Sequence, residues 1–68
     1  MIKKFFYQDG AQFYLFDSVA EATSECQGEI INYPGRIADH DTAGAQRARE
    51  WAIERCAAHG IELEMVPL

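Results

Sequence analysis

The sequence predicts a two-layer α+β domain: a four-stranded, mostly antiparallel sheet with two helices on one face. Three observations carry this. An aromatic-rich run interrupted by Asp9-Gly10 has the form of a β-hairpin. Two segments, one beginning at Ser18 and one running from Ala43 to His59, repeat small and apolar residues at helical spacing. Each is followed by a short β-rich run, which gives the order β-β-α-β-α-β.

Met1 to Tyr7 is the first strand, with Ile2, Phe5, Phe6 and Tyr7 as β-formers. Asp9-Gly10 supplies a two-residue turn and Gln12 to Phe16 returns. With that loop, Tyr7 faces Gln12, Phe6 faces Phe13 and Phe5 faces Tyr14. Alternation then puts Ile2, Phe6, Phe13 and Leu15 on a core face, and Lys3, Phe5, Tyr7, Tyr14 and Phe16 on an outer face. Ser18 and Glu21 have capping-box spacing at the start of the first helix, whose inward stripe is Val19, Ala22, Thr23 and Cys26. Gly28 stops it. Glu29 to Tyr33 is the third strand, ended by Pro34-Gly35. Asp41 or Thr42 caps the long helix, which buries Ala45, Ala48, Ala52 and Cys56 and is flanked by Trp51 and Ile53. Arg47 and Glu50 are spaced to pair on its solvent side. Ile61, Leu63 and Met65 alternate with Glu62 and Glu64 as the fourth strand; the β-α-β link allows it to run parallel to the third, and the pattern leaves the strand order open.

The chain has 68 residues, 49% of them hydrophobic, and a net charge of -5. This length fits one domain over 1–68. The apolar share argues against disorder. No apolar run is long enough for a membrane span, and Gln8-Asp9-Gly10 cuts short any signal-peptide core, so the expected setting is the cytoplasm. The acidic balance disfavours direct binding to nucleic acid or anionic membranes.

Candidate chemistry is sparse. Cys26 and Cys56 read as small buried hydrophobes, with a bridge between them or metal ligation as the alternatives. Cys56 and His59 share a helix face, but no second ligand pair exists to complete a zinc site. His40 lies between Asp39 and Asp41 on a segment where neighbours point apart. No phosphate loop, dinucleotide-binding glycine pattern or calcium loop is present. The expectation is a protein that is not an enzyme and uses no cofactor or metal.

Two surface features stand out. The outer aromatic face forms an apolar patch of the kind that marks an interface. A second copy of the chain, a partner protein or stacked RNA bases could occupy it, and the scarcity of lysine and arginine weighs against RNA. The carboxylates of Glu21, Glu25, Glu50 and Glu54 are expected on helix surfaces, where they suit a basic partner. The expected partner-binding residues are therefore Glu21, Glu25, Glu50, Glu54, Tyr7 and Tyr14.

The Gln8-Asp9-Gly10 hairpin, the alanine-rich helix around Ala43 to Ala58 and the strand from Ile61 together resemble the small phage-encoded anti-defence proteins, the anti-CRISPR inhibitors in particular. The resemblance is one of architecture and covers the whole chain without a diagnostic motif. It implies a viral inhibitor in the host cytoplasm that binds a CRISPR effector and blocks target DNA or nuclease recruitment. The expected partner is thus a nucleic-acid-binding host protein complex. The alternative is a small homodimeric structural or regulatory domain that associates through its aromatic sheet face.

Overall fold

A computed structural model describes residues 1–24 and 28–66. Glu25 and Cys26 lie outside the described residues. The elements are β1 (Ile2–Asp9), β2 (Gln12–Phe16), α1 (Val19–Thr23), β3 (Glu29–Asn32), α2 (Thr42–Ala58) and β4 (Ile61–Met65). The order β-β-α-β-α-β is that read from the sequence, and the four strands form one mixed sheet in the order β3-β2-β1-β4.

The hairpin turns one residue later than expected. Asp9 pairs with Gln12, so Gly10 and Ala11 form the loop, and Phe6 faces Leu15 while Tyr7 faces Tyr14. Gly10 has a φ of 61° and Ala11 does not enter the left-handed region. A turn with positive φ only at its first central position is the II′ form, which wants glycine there. Centring the loop on Asp9-Gly10 would have required positive φ at Asp9 as well. Every cross-strand partner moves by two residues, an even number, so each side chain keeps its face.

The sheet holds one parallel pairing. β1 pairs parallel with β4, and antiparallel with β2. The third and fourth strands run in the same direction, as their β-α-β link allows, and stand at opposite edges, an order the sequence pattern leaves open. α2 carries the chain across the sheet between them.

α2 seals the face bearing Phe6, Phe13 and Leu15 with Ala48, Ala52 and Cys56. Alanine at the contact lets the helix lie close, and Tyr33, Ile37, Trp51, Ile61 and Leu63 fill its margins. No α1 residue joins this cluster. The short α1 touches β1 and β2 instead. Ile2, expected in the core, is 63% exposed near the start of the chain. The α2 N-terminus is capped by Asp41, whose Oδ1 accepts from Gly44 N at 2.9 Å. A polar tie fixes the same end to the sheet. Gln8 Nε2 donates to Ala45 O at 2.9 Å, and Arg49 Nε donates to Gln8 Oε1 at 3.2 Å.

Candidate functional site

The face opposite α2 is built by strand alternation. β1 contributes Lys3, Phe5, Tyr7 and Asp9, and β2 contributes Gln12, Tyr14 and Phe16. Ile30 and Asn32 extend it from β3, and Glu62 and Glu64 from β4.

At its centre Tyr7 and Tyr14 are direct cross-strand partners, with ring centroids 6.1 Å apart and planes tilted by 40°. Tyr14 Oη donates to Gln12 Oε1 at 2.8 Å, which fixes the Tyr14 ring against the sheet. Tyr7 is 45% exposed. Phe16, expected on the same open patch, is only 7% exposed. Phe5 is half-buried, with Lys3 Nζ 5.6 Å from its ring centroid. The open aromatic area is therefore narrower than the sequence suggested and is centred on the two tyrosines.

Carboxylates share the face with it. Asp9, Glu62 and Glu64 share this face with Lys3, which pairs with Glu64. The bond to Glu64 raises the Lys3 pKa, keeping the ammonium charged while its field is largely neutralised. A face with three carboxylates and one paired lysine repels a phosphate backbone. Base stacking on Tyr7 and Tyr14 is therefore opposed by the electrostatics around them.

Of the six residues expected to bind a partner, the structure brings Tyr7 and Tyr14 together. Glu50 and Glu54 are exposed one turn apart on α2, which packs on the other face of the sheet. One flat partner surface cannot meet both pairs. Glu21 is part of the α1 cap: its N–H donates to Ser18 Oγ at 3.2 Å, and its Oε2 accepts from Asp17 N at 3.0 Å. Its carboxylate is thus partly engaged within the chain. The spacing expectation for Ser18 and Glu21 holds, with the return bond reaching one residue further back. Glu25 lies outside the described residues. No ion pair joins Arg47 and Glu50 among the described residues.

Asp9, Glu62 and Glu64 were not among the expected partner-binding residues. The alternation of Glu62 and Glu64 was visible in sequence, but the face they share depends on β4 lying beside β1.

The remaining chemical groups do not converge. His40 takes a φ of 67° in the loop before α2, and Asp41 beside it is committed to the helix cap. Cys56 is buried, and that burial pushes its thiol pKa up, with Glu29 adding to the effect. His59, three residues on, is exposed at the end of α2. Among the described residues, no group of three or more His, Cys, Asp or Glu is arranged to hold a metal ion. No helix there is long and apolar enough to cross a membrane. Comparison with protein-family models, with curated proteins and with solved structures returned no match.

Proposed function

We propose that this chain is a non-enzymatic protein-binding inhibitor that docks through its open sheet face. The observation that supports this reading best is the Tyr7–Tyr14 pair, with Tyr7 exposed and Tyr14 half-buried, on a face that also carries Asp9, Glu62 and Glu64. Paired tyrosines offer a rigid apolar contact with polar tips, and such residues are enriched at protein interfaces. These carboxylates suit a basic surface and speed the approach to it. A partner surface of that kind is one that ordinarily binds nucleic acid, so docking occludes it. The resemblance to anti-CRISPR proteins points to a CRISPR effector subunit in a host cytoplasm. Glu50 and Glu54 then form a second acidic surface, away from the contact.

The experiment is affinity capture from host lysate by the wild-type chain and by two variants. Tyr7→Ala with Tyr14→Ala removes the aromatic anchor, and Glu62→Lys with Glu64→Lys reverses the rim. Wild type is expected to retain a nucleic-acid-binding complex, to lose it as salt rises, and to be outcompeted by that complex's own nucleic acid. Both variants should fail. Capture that survives both but is lost with Glu50→Lys and Glu54→Lys would move the contact to α2. Salt-insensitive capture would discard the electrostatic account.

A second reading is a homodimer through the same face. It is favoured by Ile30, 37% exposed beside the tyrosines. Sedimentation at micromolar concentration separates the two, because a dimer should dissociate on Tyr14→Glu.

A further inference from the structure

β3 is an edge strand, and its pairing with β2 identifies the groups left open. Tyr33 N donates to Ala11 O at 2.7 Å, and Ile31 pairs with Phe13. Hydrogen-bonded pairs alternate along an antiparallel ladder. Ile30 and Asn32 therefore direct their N–H and C=O groups away from β2, where no strand follows. Beside this edge, Ile31, Asn32, Pro34, Trp51 and Arg55 line a groove between β3 and α2.

The basic residues of the chain divide by pairing. Lys3 is paired with Glu64, Lys4 with Asp17 and Glu29, and Arg49 is bonded to Gln8. Arg36, Arg47 and Arg55 make no ion pair or side-chain hydrogen bond among the described residues. Arg47, Trp51 and Arg55 follow one another at intervals of four on α2, so they form one stripe. Arg55 stacks on Trp51 with its guanidinium 5.6 Å from the ring centroid, and Trp51 meets Tyr33 edge-on at 5.4 Å. That contact places the stripe on the β3 side of the helix. In a chain of net charge -5, Arg55 thus lines the groove beside the open strand edge, with Arg47 about two turns before it on the same stripe.

We propose that the β3 edge binds an extended acidic segment of a partner protein as a fifth strand, with its carboxylates on Arg47 and Arg55. Main-chain bonds to Ile30 and Asn32 supply the ladder, the usual basis of strand addition. A side chain between the two carboxylates enters the Ile31–Pro34–Trp51 groove. The spacing agrees. Eight residues of α-helix from Arg47 to Arg55 rise about 12 Å. Four residues of strand span about 13 Å, so groove-facing positions i and i+4 of the segment match the two arginines. The site uses the main chain of Ile30 and Asn32, whose side chains lie on the Tyr7–Tyr14 face, and it does not depend on the docking proposed for that face.

The probe is a fluorescein-labelled peptide Thr-Glu-Thr-Val-Thr-Glu-Thr, followed by anisotropy and by amide shifts in the labelled protein. Binding should move the signals of Ile30, Asn32 and the Trp51 indole. Arg47→Glu with Arg55→Glu should weaken it about tenfold or more, and the same peptide with Lys in place of Glu should then bind the variant better than wild type. Ile30→Pro removes an outward N–H without breaking a bond to β2, so a folded Ile30→Pro chain should lose binding. Equal binding of the Glu and Lys peptides, unchanged binding to Ile30→Pro, or no binding of the Glu peptide would overturn the proposal. So would a concentration-dependent dimer that protects the Ile30 and Asn32 amides, since a second copy would then be the occupant.

Discussion

Tyr7 and Tyr14 stand directly opposite one another on β1 and β2, ring against ring at 6.1 Å, on the sheet face that α2 leaves open. Cross-strand aromatic pairs contribute to sheet stability beyond the area they bury. A double-mutant cycle with Tyr7→Ala and Tyr14→Ala, read by urea unfolding, should give a coupling of about 0.5–1 kcal/mol. With the loop centred on Asp9-Gly10, Tyr7 would face Gln12 and meet Tyr14 only diagonally, so the coupling would be smaller and the measurement also bears on the register in solution.

Lys4 provides a pH test. Its ammonium lies 3.3 Å from Asp17 and 3.6 Å from Glu29, and the bond to Asp17 raises its pKa above the ordinary 10.5. A lysine whose folded-state pKa is raised binds its proton more tightly in the folded chain than in the unfolded one. Its contribution is therefore complete below the ordinary lysine value and lost as pH rises through the folded value. The difference in unfolding temperature between wild type and Lys4→Met should be constant from pH 7 to about 10 and should shrink above that. A difference that grows above pH 10 would contradict the assignment.

Much of this architecture was legible in the residues, for local reasons. Ser18 and Gly60 punctuate helices whatever the tertiary fold, and Asp41 caps α2 as its chemistry suggests, whereas α1 closes at Ser24 and not at Gly28. Alternation assigned Phe6, Phe13 and Leu15 to the buried face even though the register was displaced, because the displacement was even. What the residues could not specify is non-local. Nothing in Ile61–Met65 says whether it lies beside β3 or β1, and the face shared by Glu62, Glu64 and Tyr7 follows only from the second choice. The exposure of Phe16 was misjudged for the same reason, since its cover comes from tertiary packing.

Cys56 gives a test of the α2 contact. Its thiol is buried in the core cluster and its pKa is pushed up by that burial. Reactivity requires an exposed thiolate, so both effects protect it. In a Cys26→Ser background, modification by a disulfide reagent at pH 8 should be slow in the folded chain and fast in urea. The folded-state rate should follow global stability, rising in parallel with denaturant. A rate close to that of an unfolded peptide without denaturant would mean that α2 does not seat Cys56 against the sheet.

Asp41 and Gly44 offer a test in which the usual sign of a substitution reverses. Replacing glycine by alanine within a helix ordinarily stabilises by about 0.5–1 kcal/mol, because glycine loses more backbone freedom on folding. Here a Cβ on Gly44 would stand 2.5 Å from Asp41 Oδ2, the carboxylate whose other oxygen caps the helix. Gly44→Ala must therefore displace the cap or bend the first turn. It should destabilise the chain even though alanine is the better helix former. Asp41→Ala alone should cost about 1 kcal/mol through loss of the cap. In the Asp41→Ala background the obstruction is gone, so Gly44→Ala should become neutral or stabilising. Urea unfolding of the four chains completes the cycle, and a Gly44→Ala effect of the same sign in both backgrounds would show that the close approach to Asp41 is not what keeps glycine at this position.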